Sequence, residues 1–398
     1  MEFNDTTAMA TFREEVVSFL DEETPDYFRR KETDLESTLF GRRGDQDFTQ
    51  SMATWRKKVA DKGWIAAAWP KEYGGGGLGV LEQFVMNREF AQRRIPHPGG
   101  MGVMMAGPTI IAHGSEEQQK EHLSGILSGE TIWCQGFSEP GSGSDLASLQ
   151  TRAVRDGDDY VINGQKIWTS GAHMANWMFC LVRTDPDAPK HRGVSYLLFP
   201  MDSPGVSVRP LTQMTGEANF NEVFFEDVRV PVQNRIGEEN RGWYVGVTTL
   251  DFERSGIGSA VGVSQSVERM ARFAKESGAL DGQPRLRTEI ADRAVEAQVL
   301  TMLSYRVITM QSQGMIPNYE ASAAKLFSSE LNQRMAATDM KIGGLFSQIH
   351  DRGTEHQRSR RGAMAHNYMA TVPSTIAGGT SEIQRNIIAT RGLGLPRG

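Results

Sequence analysis

Hydrophobic spacing along this chain is segregated. Two long stretches with helical spacing flank one block, residues 130–237, where short β-branched and aromatic runs alternate with Gly, Pro and Asp. A parallel βαβ sheet needs strands and helices to alternate, so this order excludes it and predicts an α+β fold. The expected domains are an N-terminal helical domain (1–129), a central antiparallel β domain (130–237) and a C-terminal helical bundle (238–398).

In the first stretch Phe12, Val16, Phe19 and Leu20 fall at helical spacing. Asp47 reads as the N-cap of a helix running through Met52, Trp55 and Val59, with Gly63 just past its end. Leu81 to Arg93 and Ser115 to Gly129 are also helical, and Ser115-Glu116-Glu117-Gln118 has the capping-box pattern. Strands are expected around Tyr160-Val161-Ile162, Trp177 to Val182, Val194 to Phe199, Val206 to Val208 and Asn221 to Phe225, with a turn at Asp202-Ser203-Pro204-Gly205. Helical spacing returns in Val263 to Lys275, Arg287 to Met310, Asn318 to Ile342 and Ser381 to Arg391.

Composition narrows the function classes. The 398 residues, 39% hydrophobic and 23% charged, suffice for two or three packed domains. A formal charge of −6 argues against a dedicated nucleic-acid binder, which must neutralise phosphates. The two cysteines, Cys134 and Cys180, are far apart and have no zinc-ligand spacing, which fits a reducing cytoplasm without disulfides. No apolar run approaches a membrane span, and the polar N-terminus does not read as a signal peptide.

Several motifs fail their context. Gly74 to Gly79 satisfies GxGxxG, but Trp69-Pro70 precedes it in a helical region, where the dinucleotide fingerprint needs a strand. His350 and His356 lack a metal constellation, so no metal is expected, and Arg358 to Arg361 reads as a solvated basic run.

The segment Trp133-Cys134-Gln135-Gly136-Phe137-Ser138-Glu139-Pro140-Gly141-Ser142-Gly143-Ser144-Asp145 is different. Its glycines let backbone N–H groups converge on anionic or carbonyl oxygens, and its serines add hydroxyls. A structural turn between domains is the competing reading. Trp168 offers a flat indole suited to stacking on a ring system, and taken alone reads equally as a core tryptophan.

With these pieces together, the chain resembles the flavin-dependent acyl-CoA dehydrogenase family almost end to end. The resemblance rests on Gly63-Trp64 and Trp69 to Gly75, Ala112 to Gln118, the 133–145 segment, Asn163 to Ser170, Asn221 to Phe225, Gly237 to Trp243, and Gly378 to Arg385. It implies a three-domain helical–β–helical fold, bound FAD, and α,β-dehydrogenation of an acyl-CoA thioester in fatty-acid or lipid β-oxidation. Residue by residue, it places Phe137, Ser138 and Gly143 at the flavin loop, with Ser144 between FAD and the CoA chain. Trp168, Thr169 and Ser170 match the flavin-packing strand, and Thr380 and Glu382 match FAD contacts at the start of the last helix. Ser381 to Gln384 also has capping-box spacing there.

Many members carry the catalytic glutamate directly before the Gly-Thr-Ser of that helix, where this chain has Gly378. Isovaleryl- and long-chain-type members instead place it in a Leu-Asp-x-Glu-Arg context, matched by Leu250-Asp251-Phe252-Glu253-Arg254. The resemblance therefore assigns the base to Glu253, which in isolation reads as a solvated helix residue. It sets Asp251, Arg254, Gly378 and Gly379 beside the substrate.

Two family segments that reach a neighbouring subunit's FAD are altered. Ala274 to Leu280 lacks Arg-x-x-Phe-Gly, and Met340 stands where Gln-x-x-Gly-Gly has its glutamine. A homotetramer or a heterotetramer with a related chain is expected, with electron-transfer flavoprotein as acceptor. Two alternatives remain: a fold-related flavin oxidase or monooxygenase, and a partner subunit that completes another chain's FAD site.

Overall fold

The computed structural model describes residues 5–29, 45–252, 257–350, 360 and 362–396, without the side chains of 251, 252 and 257–259. Glu253, Arg254, His356 and most of the 358–361 basic run lie outside the described residues.

The chain begins with helices α1 (Thr7–Glu23), α2 (Asp26–Arg29), α3 (Gln46–Asp61), α4 (Val80–Arg93), α5 (Gly107–His113) and α6 (Glu116–Ser128). Strands follow: β1 (Trp133–Gly136), β2 (Arg152–Asp156), β3 (Asp159–Lys166), β4 (Trp177–Arg183), β5 (Val194–Pro200), β6 (Val206–Leu211), β7 (Phe220–Pro231) and β8 (Arg235–Ile236). Helices α7 (Gly242–Phe252), α8 (Ile257–Glu276), α9 (Pro284–Ser312), α10 (Tyr319–Gly343), α11 (Ala363–Ala370) and α12 (Ser381–Ile387) complete it. This is the helical–β–helical order read from the sequence.

Two compact units divide the chain, one from Asp21–Leu78 and Pro96–Arg254, the other from Met1–Leu20, Gly79–Ile95 and Ser255–Gly398. The first contains one eight-stranded sheet ordered β6-β7-β3-β2-β4-β5-β8, with β1 paired to β4. Most pairs are antiparallel as expected, but β1 runs parallel to β4, and β2 meets β4 in parallel at Arg152 and Arg183. β4 and β5 are buried on both faces, which explains their unbroken apolar runs, whereas β7 begins with strict alternation. Helix α7 covers part of β4 and β5. Gly242 is required there: a Cβ would strike the backbone of Ser195 and Tyr196.

The second unit is helical. Its core joins Phe84 and Val85 of α4 to Val263, Val267 and Met270 of α8, Ala297 and Leu300 of α9, and Leu331 and Met335 of α10.

Two helix starts differ from the sequence expectation. Asp45 caps α3, its carboxylate accepting from Phe48 N–H at 2.9 Å, so Asp47 lies in the first turn. Thr380, one residue before Ser381, caps α12 by accepting from Ile383 N–H at 3.2 Å. In both cases a neighbouring side chain reaches the third N–H first. The Ser115–Gln118 capping box on α6 forms in both directions. The 74–79 glycines form a loop between a 3₁₀ turn and α4, without a preceding strand.

Candidate active site

The 133–145 segment leaves the sheet at Gly136, where a Cβ would collide with Met178 and Cys180 sulfurs. Phe137 follows, buried, with its ring edge-on to Phe179 and Tyr196 at 5.8 and 6.1 Å. Glu139 and Ser142 exchange backbone hydrogen bonds at 3.0 Å each, closing a tight turn around Pro140 and Gly141. Two N–H groups of the expected nest are therefore spent within the loop, and the Ser142 hydroxyl is spent on the Asp145 carbonyl at 2.8 Å. Gly141, Gly143 and Ser144 are exposed, and the space beside the two glycines is open.

Below the loop lies a buried ion pair. The Lys166 ammonium, fully buried, donates to Glu139 Oε1 at 2.8 Å and to the Phe137 carbonyl at 3.0 Å. The Glu139 carboxylate also accepts from Gln150 N–H at 2.6 Å and Thr151 N–H at 2.8 Å. Burial pushes its pKa up, but the Lys166 charge and these hydrogen bonds outweigh burial and hold it below the ordinary carboxylate range.

β3 ends at Lys166, and the next residue, Ile167, donates its N–H to the Ser138 carbonyl at 2.9 Å. That bond sets Ser138 beside Ile167, the residue that leads into Trp168, Thr169 and Ser170. Trp168 is not a core tryptophan: it is 59% exposed, its φ is +61°, and it touches Phe220 edge-on at 6.4 Å. Left-handed backbone at a bulky residue is a genuine outlier, and here it turns the largest aromatic side chain out of the fold. Thr169 is buried, its backbone held by Asn221, while its hydroxyl has no hydrogen-bond partner. The Gln135 side-chain amide nitrogen is likewise buried and unpartnered. Such orphaned groups cost about 1–3 kcal/mol each unless a ligand supplies the partner.

An exposed indole face, beside a chain segment with an unsatisfied buried hydroxyl, fits a flat ring with polar edges. The residues present therefore fit a flavin.

In the helical unit, Gly378 and Gly379 have φ of +63° and +86° and lead into α12. Their carbonyls are held, Gly378 by Gln384 Nε2 at 3.0 Å and Gly379 by Lys325 Nζ at 2.7 Å. A cleft of about 730 Å³ between α10, α11 and α12 is lined by Thr380, Ser381 and Glu382 among others. The Ser381 hydroxyl is buried without a partner. The two groups of expected site residues thus lie one in each unit.

Asp251 is in the last turn of α7. That helix is anchored just before it: Thr249 Oγ1 lies 2.8 Å from Thr109 Oγ1 and 3.3 Å from the Tyr196 hydroxyl, all buried. Glu253 and Arg254 follow beyond the described residues. Among the described residues no group of His, Cys, Asp or Glu could hold a metal ion, and no helix is long and apolar enough to cross a membrane.

Sequence reasoning did not single out Lys166, Glu139, Gln135 or Asn221 individually. A lysine closing a half-buried strand was the available signal, since lysine is buried only when paired.

Three family models match in succession: the acyl-CoA dehydrogenase N-terminal domain over 6–130, the middle domain over 134–228 and the C-terminal domain over 240–393. Acyl-CoA dehydrogenase IpdE1 of Mycobacterium tuberculosis is 38% identical over 346 residues, covering 86% of this chain and 88% of that protein. Among solved structures, the steroid ACAD Tcur3481-Tcur3483 superposes with a TM-score of 0.85 at 33% identity, over 100% of both chains. The ChsE4-ChsE5 complex from M. tuberculosis gives 0.82 at 33% identity, again over 100% of both. The chain belongs to the acyl-CoA dehydrogenase family, and its class is that of oxidoreductases acting on acyl-CoA.

Proposed function

We propose that the protein removes two hydrogens across the α,β bond of a bulky, steroid-derived acyl-CoA thioester, giving the trans-2-enoyl-CoA, with FAD as cofactor and Glu253 as base. Bound FAD would supply the acceptor for the β-hydrogen, which would leave the substrate as hydride with both electrons. Glu253 takes the α-proton as the carbon–carbon double bond forms. A carboxylate does this best in a site that excludes water, where its pKa is raised. Phe137, Ser138, Gly143 and Ser144 line the flavin, Trp168 packs on it, and Thr169 and Ser170 meet its polar edge. Thr380 and Glu382 contact the cofactor from α12, and Asp251, Arg254, Gly378 and Gly379 border the thioester. Electron-transfer flavoprotein is the proposed electron acceptor.

The observation that carries this reading is the outward, left-handed Trp168 next to the unpartnered Thr169 hydroxyl. A steroid substrate is supported by the solved relative described as a steroid ACAD, and a second, related chain by the one described as the ChsE4-ChsE5 complex. The missing Arg-x-x-Phe-Gly and the methionine at 340 support the second chain independently.

The test is flavin per chain in purified protein, alone and co-expressed with a related chain, followed by anaerobic addition of steroid-side-chain and straight-chain acyl-CoAs. Bleaching of the visible flavin band by the steroid thioester is expected. A folded, colourless protein that takes up no FAD in either state contradicts the cofactor. Turnover that requires O₂ contradicts dehydrogenation in favour of an oxidase.

A further inference from the structure

The Phe137–Ser138 peptide is gripped from both ends. Its carbonyl accepts from the buried Lys166 ammonium at 3.0 Å, and the next carbonyl, that of Ser138, accepts from Ile167 N–H at 2.9 Å. No cis peptide is present among the described residues. In a trans peptide the C=O and N–H are antiparallel, so fixing the carbonyl toward Lys166 points the Ser138 N–H the opposite way.

Holding an ammonium in the core is expensive unless it is paired and hydrogen-bonded. Here Glu139 supplies the charge, and Glu139 is itself tied to the Gln150 and Thr151 N–H groups. The ammonium has three N–H donors, and the Phe137 carbonyl accepts one that Glu139 does not, so the bond that satisfies the buried charge also fixes that carbonyl. The combination serves to lock a peptide.

Resting on the flavin reading above, we propose that Lys166 is a positioning residue: its ammonium, held by Glu139, locks the Phe137–Ser138 peptide so that the Ser138 N–H is presented to the polar edge of the flavin. The donor is fixed before the cofactor arrives, so binding bears no cost of reorienting it. Trp168 and Thr169 lie two and three residues after Lys166, so the same strand end sets the stacking face and the peptide donor.

The test compares two full-length variants. Glu139→Gln removes the counter-charge and leaves the Lys166 nitrogen beside the Phe137 carbonyl as a buried group without its ion-pair partner. Glu139→Gln with Lys166→Met removes the ammonium as well and leaves no buried unpaired charge, so it is the version expected to fold. Each is stripped of flavin, its melting temperature is recorded, and it is titrated with FAD by tryptophan fluorescence and visible absorption.

The stripped single variant should melt well below wild type, because its lysine is buried without a counter-charge. The double variant should bind FAD at least tenfold more weakly than wild type, with a displaced visible band, although its stripped form, free of a buried unpaired charge, melts above the stripped single variant. Lys166→Gln in the same background restores a shorter, neutral donor and should recover part of the affinity. A folded double variant that binds FAD as wild type does, with the same band, overturns the proposal. Wild-type protein that takes up no FAD defeats the flavin reading itself, and the proposal with it.

Discussion

Thr169 and Asn221 hold each other through two hydrogen bonds. The Thr169 N–H donates to the Asn221 carbonyl at 3.0 Å, and the Asn221 side-chain amide donates to the Thr169 carbonyl at 2.8 Å. The Asn221 side-chain oxygen also lies 3.2 Å from His173 Nδ1. One fully buried asparagine thus ties β7 to the turn that carries Trp168. Asn221→Ala leaves a buried carbonyl without its donor and should cost about 1–3 kcal/mol in urea unfolding. A loss under about 0.5 kcal/mol would show that the turn is held by other contacts.

The Glu139 carboxyl is held below its ordinary range in the folded protein. A depressed carboxyl contributes stability that is fully present above the unfolded pKa, near 4.3, and is lost as pH falls through the folded value. Thermal melts from pH 7 downward should therefore show a steep acid limb beginning near pH 4–5. Glu139→Gln should start lower and fall less steeply. Parallel acid limbs in the two proteins would contradict the assignment.

Trp168 contributes little to the fold, since most of its side chain is outside it. Trp168→Ala should change the stability of flavin-free protein by less than about 0.5 kcal/mol but weaken FAD binding on the order of tenfold, a loss of about 1.4 kcal/mol. Equal FAD affinity in the variant would remove the indole from the flavin site.

Helix α9 has two apolar faces. Ala297, Leu300 and Ile308 belong to the helical core, whereas Val295, Val299 and Met302 are exposed. Exposed apolar residues recurring along one helix face fit an obligate interface. Val295→Asp with Val299→Asp should lower the mass seen by light scattering while leaving the helical circular dichroism unchanged. An unaltered mass would place the interface elsewhere.

The order of helices and strands was legible because periods of 3.6 and 2 differ plainly over whole segments. Helix starts shifted by a residue or two because Asp45 and Thr380 stand beside equally good caps, and only local geometry chooses between them. Trp168 was readable as a tryptophan that could stack, but its exposure depends on a left-handed backbone that composition does not encode. Lys166 was hidden for a different reason: its partner Glu139 is 27 residues away, and only the fold brings the two charges together. The pairing of an absent glutamate at Gly378 with a present one at Glu253 is, by contrast, a purely sequential signal.

That pairing is the centre of the account, and stopped-flow flavin reduction tests it most directly. Glu253→Gln preserves size and hydrogen bonding but cannot accept the α-proton. The variant should retain FAD and bind acyl-CoA, while anaerobic bleaching of the flavin by substrate slows by a factor on the order of 10² to 10⁴. Flavin reduction at the wild-type rate in Glu253→Gln would contradict the assignment and require a base from another carboxylate or from a partner chain.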